Sequence, residues 1–218
     1  MVRYAGANVT LLGNQVFPIP LQLPDADIAF YPAFLEQQES DRLLTELTQT
    51  IDWRQDWITI YGRSLPQPRL TAWYGDAGKS YTYSGITMVP MAWTPLLLEL
   101  KTTVETVCDA GFSGFNGFNG FNSVLLNLYR DGNDSMGWHS DDEAELGHNP
   151  VIGSLSLGGM RRFMLRHRSQ KGLKHQLELT SGSLLLMQGT TQQYWQHHIP
   201  KTKRPVAPRI NLTFRVIC

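Results

Sequence analysis

Apolar residues recur near helical spacing over Leu35–Ile51, where Leu35, Leu43, Leu44, Leu47 and Ile51 are separated by Glu, Gln, Asp and Arg. That pattern predicts an amphipathic helix resting on a core. A second helix is predicted from Thr94-Pro95, with Thr94 as N-cap and Pro95 at the first helical position. Leu96–Cys108 continues it and Gly111 ends it. From Asn122 onward the period changes to short β-prone stretches: Ser123–Arg130, Gly137–Asp141, Val151–Leu157, Arg161–His167, His175–Leu179, Ser183–Met187, Tyr194–Ile199 and Ile210–Ile217. Turn residues such as Asp131-Gly132-Asn133-Asp134, Gly158-Gly159 and Ser181-Gly182 separate them. Eight short strands at this spacing predict a mainly β fold with flanking helices. The simplest version is a double-stranded β-helix, or jelly roll, with two N-terminal helices packed on one sheet.

The remaining stretches are less regular. Trp53–Tyr61 reads as strand, Gly62-Arg63 with Pro66, Pro68 and Arg69 as loop, Leu70–Tyr74 as strand, and Tyr81–Ser84 as β-prone and aromatic. Residues 1–30 contain Pro18, Pro20 and Pro24 and no sustained period, which predicts an extended arm or edge structure. The domain reading is therefore an arm over 1–30 and a single domain over 31–218. Residues 111–122 repeat a Gly-Phe-Asn triplet too few times for a solenoid, so a loop is predicted there.

Composition narrows the class. A chain of 218 residues, 42% hydrophobic and 17% charged, can bury one full core. No run approaches the roughly 18–20 apolar residues of a membrane span, and the N-terminus lacks a continuous apolar segment with a cleavage site, which argues against secretion. Two cysteines, Cys108 and Cys218, fit a reducing compartment. Localisation is thus expected to be intracellular, cytoplasmic in a bacterium and nuclear in a eukaryote, and the protein is expected to be a monomer. The zero net charge conceals an asymmetry: residues 1–160 carry 8 Lys/Arg against 18 Asp/Glu, residues 161–218 carry 11 against one, Glu178. The basic last quarter is suited to an anion, either a carboxylate ligand or a phosphate backbone.

Candidate chemistry centres on Trp138–Glu143, WHSDDE. On an extended strand His139 and Asp141 face the same way and supply two thirds of a 2-His-1-carboxylate metal site. The missing imidazole is expected from Tyr194–Ile199, as His197 or His198, which face opposite ways; spacing does not choose between them. Such a site can hold iron, zinc, manganese or cobalt. Arg209, Asn211, Thr213 and Arg215 alternate along the last strand, and two guanidiniums on one face can bind a dicarboxylate. Asn127 and Tyr129 form a second polar pair on one face.

Taken in order, Asn127-Leu-Tyr129, Trp138-His139-Ser-Asp141-Asp-Glu143, Trp195-Gln-His197 and Pro208–Arg215 resemble the AlkB family of Fe(II)- and 2-oxoglutarate-dependent dioxygenases, which dealkylate nucleic acids. Pro68–Gly75 resembles the eukaryotic-type repair members. The resemblance covers about Pro68 to Cys218 and is loose over residues 1–50. It implies iron ligation by His139, Asp141 and His197, and 2-oxoglutarate held by Arg209 with Asn127 and Tyr129, with Arg215 near its chelating end. It implies a base pocket with Glu143 and Arg69, Tyr83 and His139 on either side of the base, and Tyr81 as a further candidate. The Gly-Phe-Asn expansion departs from the family pattern. The implied activity is oxidative demethylation of bases such as 1-methyladenine and 3-methylcytosine in DNA or RNA, consuming O2 and converting 2-oxoglutarate to succinate. The alternative is a hydroxylase of the same cofactor class acting on a protein or small molecule.

Overall fold

The computed structural model describes residues 17–60, 62–79, 81–83, 86–111 and 118–218, with the side chains of 59–60, 63, 81–83, 86–88 and 109–111 left aside. Residues 1–16 of the arm and 112–117 of the Gly-Phe-Asn repeat lie outside the described residues.

Two antiparallel sheets carry the fold. The larger is built from β1 (Ile19–Pro20), β2 (Asp27–Tyr31), β5 (Leu70–Gly75), β8 (Ser123–Tyr129), β10 (Ile152–Gly158), β13 (Leu184–Gln188) and β15 (Arg209–Arg215), in the order β1-β2-β13-β10-β15-β8-β5. The smaller has β9 (Met136–His139), β11 (Arg161–His167), β12 (Lys174–Leu179) and β14 (Trp195–Ile199), in the order β12-β11-β14-β9. Two hairpins stand apart, β3 (Trp57–Ile60) with β4 (Arg63–Pro66) and β6 (Tyr81–Tyr83) with β7 (Ile86–Met88). This mainly β, antiparallel arrangement is consistent with a jelly roll.

The helices are α1 (Gln37–Thr50), α2 (Pro95–Gly111) and a four-residue α3 (Thr191–Tyr194). The expected count of two omitted α3, and α2 begins near the middle of the chain rather than at its N-terminus. Thr94 caps α2 as expected, its hydroxyl accepting the Leu97 N–H at 3.2 Å. The predicted loop around Pro66 is instead the strand β4, with Trp57 opposite Pro66 and Ile60 opposite Arg63. Pro is tolerated there because it lies at the last position of an edge strand. Part of the predicted arm is also sheet: β2 pairs with β13 from Asp27 opposite Gln188 to Tyr31 opposite Leu184.

The larger sheet is buried on both faces, and its alternation decides where chemistry can sit. Ile210, Leu212 and Phe214 of β15 share one cluster with Leu126, Leu155 and Leu186, and with Leu43 and Leu47 of α1 and Leu97, Leu100 and Val104 of α2. Each such side chain contributes roughly 1.5–3 kcal/mol on burial. α2 approaches β10 closely at Gly153, where a Cβ would lie 2.8 Å from Val104 Cγ1 and 3.3 Å from Phe121 Cζ. A period of two sends Arg209, Asn211, Thr213 and Arg215 to the other face. In register, Arg209 lies opposite Tyr129 and Asn211 opposite Asn127, so these polar side chains share that face. A second apolar cluster includes Phe163, Leu165, Trp195 and Ile199 of the smaller sheet with Tyr129, Ile152, Leu185 and Met187 of the larger.

Candidate metal centre and its cavity

Strand pairing creates the site. β9 and β14 run antiparallel with His139 directly opposite His197, which brings their rings to 4.1 Å between centroids. Asp141 follows two residues after His139, and its N–H donates to Gln192 Oε1 of α3 at 3.0 Å. The intervening Ser140 hydroxyl donates to the Trp195 carbonyl at 2.9 Å. These two bonds turn the chain at the end of β9 back toward β14. One ligand atom from each of His139, Asp141 and His197 lies within 4.8 Å of the others. His198 points elsewhere: it stacks on Trp138 at 4.4 Å, and its Nδ1 lies 3.2 Å from the Met136 carbonyl.

The protonation states suit a metal. The Asp141 carboxyl is buried, which alone would raise its pKa, but the Arg215 guanidinium and the two imidazoles outweigh burial and hold it at about 2. Arg215 Nη2 donates to Asp141 Oδ1 at 2.7 Å. Burial, reinforced by His139, pushes the His197 imidazole down to about 3. A carboxylate and a neutral imidazole are therefore present at neutral pH, the forms that ligate metals. His139 Nδ1 lies 2.9 Å from the Gly137 carbonyl. A carbonyl only accepts, so Nδ1 carries the proton and Nε2 is left for a metal. Two imidazoles and one carboxylate fit iron(II) with open positions.

A cavity of about 450 Å³ opens beside the triad. Its wall includes His139, Asp141, His197, Arg215, Asn127, Tyr129, Arg69 and Glu143. Arg209 is not on that wall. It is 1% exposed, donates from Nη2 to Ser156 Oγ at 2.9 Å, and lies over the Tyr129 ring at 5.3 Å. Its Nε and Nη1 have no hydrogen-bond partner among the described residues, and burial lowers its pKa to about 10. Arg161, also buried, covers Tyr129 as well, at 5.5 Å. Arg69 and Asn127 are joined directly, Arg69 Nε donating to Asn127 Oδ1 at 2.7 Å. Tyr81 and Tyr83 fall on β6, whose side chains lie outside the described residues.

The sequence reading missed part of this wall. Phe163 stacks on His197 at 5.2 Å and 24°. Gln67, Asp56 and Thr71 also line the cavity, with the Thr71 hydroxyl donating to Asp56 Oδ2 at 2.7 Å. No motif marks these residues; the pairing of β5 with β8, Thr71 opposite Asn127, brings Thr71 to the site, and Asp56 is tied to it by the Thr71 hydroxyl and to Gln67 by the Gln67 N–H. The basic segment 161–174 also divides. Arg161 donates to the carbonyls of Asp131, Asp134 and Pro200. Arg168 pairs with Asp142 and Arg166 with Gln196, while Arg162, Lys171 and Lys174 remain exposed.

Comparison with known proteins agrees with this geometry. A family model, the 2OG-Fe(II) oxygenase superfamily, matches residues 27–215. The chain is 42% identical over 199 residues to the alpha-ketoglutarate-dependent dioxygenase alkB homolog 3 of Mus musculus, covering 87% of this chain and 66% of the relative. It thus spans just under two thirds of that relative's length. It is 38% identical over 197 residues to the DNA oxidative demethylase ALKBH2 of Mus musculus, covering 86% of this chain and 79% of the relative. A solved structure of OsALKBH1 shares the fold, with a TM-score of 0.60 at 16% identity, over 90% of this chain and 100% of that one.

Proposed function

We propose that this chain, which belongs to the 2OG-Fe(II) oxygenase superfamily and within it to the AlkB-type dioxygenases, removes alkyl groups oxidatively from ring nitrogens of bases in DNA or RNA. The observation that carries the reading is one cavity with the metal triad on its wall and, on the same wall, Glu143, whose Oε2 is buried without a partner. A buried carboxylate oxygen is costly unless a donor or a cation meets it. A base alkylated on a ring nitrogen, as in 1-methyladenine or 3-methylcytosine, brings both.

Iron(II), when bound by His139, Asp141 and His197, supplies the oxidation of the alkyl carbon, coupled to conversion of 2-oxoglutarate and O2 to succinate and CO2. The protein's own work is placement. Arg215 keeps Asp141 ionised and oriented. Arg209 presents two guanidinium nitrogens with no hydrogen-bond partner among the described residues, on a face shared with Tyr129 and Asn127, and is suited to a terminal carboxylate. Asn127, held by Arg69, links the co-substrate end to the base end. By the family resemblance Tyr83 and His139 are assigned to the faces of the base, with Tyr81 a further candidate. Once hydroxylated, the alkyl carbon is lost as an aldehyde and the base is restored. A base reaches such a cavity only by leaving its stack.

Exposed Lys201, Lys203 and Arg204 are assigned to phosphates of the substrate strand. Action as a monomer is part of the same reading. A count of two cysteines, Cys108 and Cys218, suits a reducing compartment, cytoplasmic in a bacterium and nuclear in a eukaryote. No described helix is long and apolar enough to cross a membrane. The catalytic domain is read as a single unit that takes in β2 as well as residues 31–218.

The test is succinate formation by the iron-loaded protein with 2-oxoglutarate. Stimulation by oligonucleotides carrying 1-methyladenine or 3-methylcytosine, over unmethylated controls, is the expected result. Turnover unaffected by any methylated DNA or RNA would turn the reading toward a protein or small-molecule hydroxylase.

A further inference from the structure

A cavity that encloses a base must satisfy the buried polar atoms on its wall, because an acceptor that has lost water and gained no donor is destabilising. Two acceptors on this wall are buried without partners among the described residues, Gln67 Oε1 and Glu143 Oε2. Gln67 is 4% exposed, and its backbone is fully engaged. Its N–H donates to the Asp56 carbonyl at 2.8 Å, and its carbonyl accepts from the Arg69 N–H at 2.8 Å and from Gln55 Nε2 at 3.1 Å. Neighbouring polar groups are closed among themselves, Thr71 onto Asp56 and Arg69 onto Asn127. The Gln67 backbone is thus spent on structure, while its buried amide oxygen, on a residue that lines the cavity, accepts from none of the described residues.

We propose that Gln67 is a specificity-determining residue which, with Glu143, accepts the two N–H bonds of an exocyclic amino group on the substrate base. The proposal rests on the base-dealkylation reading above. An amino nitrogen carries two donors, and the wall offers two open acceptors. Bases alkylated beside their exocyclic substituent fall into two sets. Adenine and cytosine carry an amino group there; hypoxanthine, uracil and thymine carry a carbonyl oxygen. A carbonyl adds a third acceptor and no donor, leaving both wall atoms unmet. Sites built to bond a substrate N–H reject analogues that lack it far more strongly than apolar pockets reject a change of size. Gln67 thereby selects the amino-bearing class, whichever strand carries it.

The test uses the iron-loaded, full-length chain and two single-stranded oligonucleotides, identical except that one carries 1-methyladenine and the other 1-methylhypoxanthine. The wild type is expected to favour 1-methyladenine by about 100-fold in kcat/KM, one factor of about ten for each acceptor met. Gln67→Leu is expected to lower kcat/KM for 1-methyladenine about tenfold and to leave 1-methylhypoxanthine unchanged or better, shrinking the preference about tenfold. Gln67→Met serves the same purpose if the Leu variant does not fold. Gln67→Glu, which keeps an acceptor, is expected to retain the preference. Equal losses on both substrates, or an unchanged ratio, would overturn the role of Gln67 while leaving the dealkylase reading intact. A wild type inactive on both and on 3-methylcytosine would overturn that reading, and this proposal with it.

Discussion

Arg215 Nη2 donates to Asp141 Oδ1 across 2.7 Å, with both side chains buried. The metal-ligand carboxylate therefore has a fixed counter-charge supplied by β15, the same strand that carries Arg209. This pairing couples the two ends of the site, since displacement of β15 would disturb both the carboxylate and Arg209, the guanidinium proposed to hold the co-substrate.

Removing one partner of a buried ion pair strands the other and costs about 3–5 kcal/mol. Arg215→Leu is accordingly expected to destabilise the metal-free protein by that order and to raise the Asp141 pKa. Part of the loss should return on adding manganese(II), because a dication replaces the missing guanidinium as counter-charge. Urea denaturation with and without the metal measures both effects. A variant within about 0.5 kcal/mol of wild type would show that the pair contributes little.

His197 and His198 are neighbours on β14, yet only His197 faces His139. His198→Ala removes a ring stacked on Trp138 and is expected to keep metal binding within a few-fold of wild type. His197→Ala removes one of three ligands and is expected to lower metal affinity at least 100-fold and to abolish succinate formation. Equilibrium dialysis with manganese(II) compares the two. Similar losses in both variants would mean that the pairing of β9 with β14 is not what builds the site.

That contrast marks what could be read in the sequence. Period-two patterning predicted β11 closely and showed that Arg209 and Arg215 share a face, and the Thr94-Pro95 start with Gly111 as stop predicted α2. It could not choose between His197 and His198, because alternation says only that they face opposite ways; the resemblance chose His197, and the pairing register brings that residue opposite His139. β3 was read as strand, but β4 was misread as loop since Gly62, Pro66 and Pro68 all favour turns; its pairing with β3, Trp57 opposite Pro66, makes it strand. β2 was hidden among prolines and identified by its pairing with β13. Gln67 carries no signal at all in sequence, as its importance comes from an amide oxygen left unmet in a cavity wall.

Lys201, Lys203 and Arg204 lie exposed, following strand β14, whereas Arg161, Arg166 and Arg168 are engaged within the protein. Phosphate contacts release counterions, and the slope of log K against log salt falls by about 0.7 per contact on a single strand. Replacing all three residues by Ala is expected to flatten that slope by about 2 while leaving 2-oxoglutarate affinity unchanged. Fluorescence anisotropy over a salt series gives the slope. An unaltered slope would remove this segment from the nucleic-acid interface.

Acid sensitivity of the metal-free protein should begin at His197. In the folded chain its pKa is about 3, against an ordinary value of 6.5, because burial and His139 both oppose the charged ring. The unfolded chain takes up this proton near pH 6.5 and the folded chain only near 3, so between those values the unfolded state binds more protons. Stability then falls as pH drops, by up to about 1.4 kcal/mol per pH unit, with nothing lost above pH 6.5. Asp141 acts lower down. Its pKa is about 2 rather than 3.8, with Arg215 outweighing burial, so its contribution is complete above 3.8 and is lost between 3.8 and 2. Loss of stability from pH 6.5 to 4 is thus assigned to His197 and the steeper fall below 4 to both groups. His197→Asn, which cannot titrate, is expected to flatten the first segment and to reduce the second to the share of Asp141. Urea midpoints at pH 7.5, 6, 5 and 4 in the presence of a chelator check this. Parallel curves for wild type and variant across that range would refute the assignment.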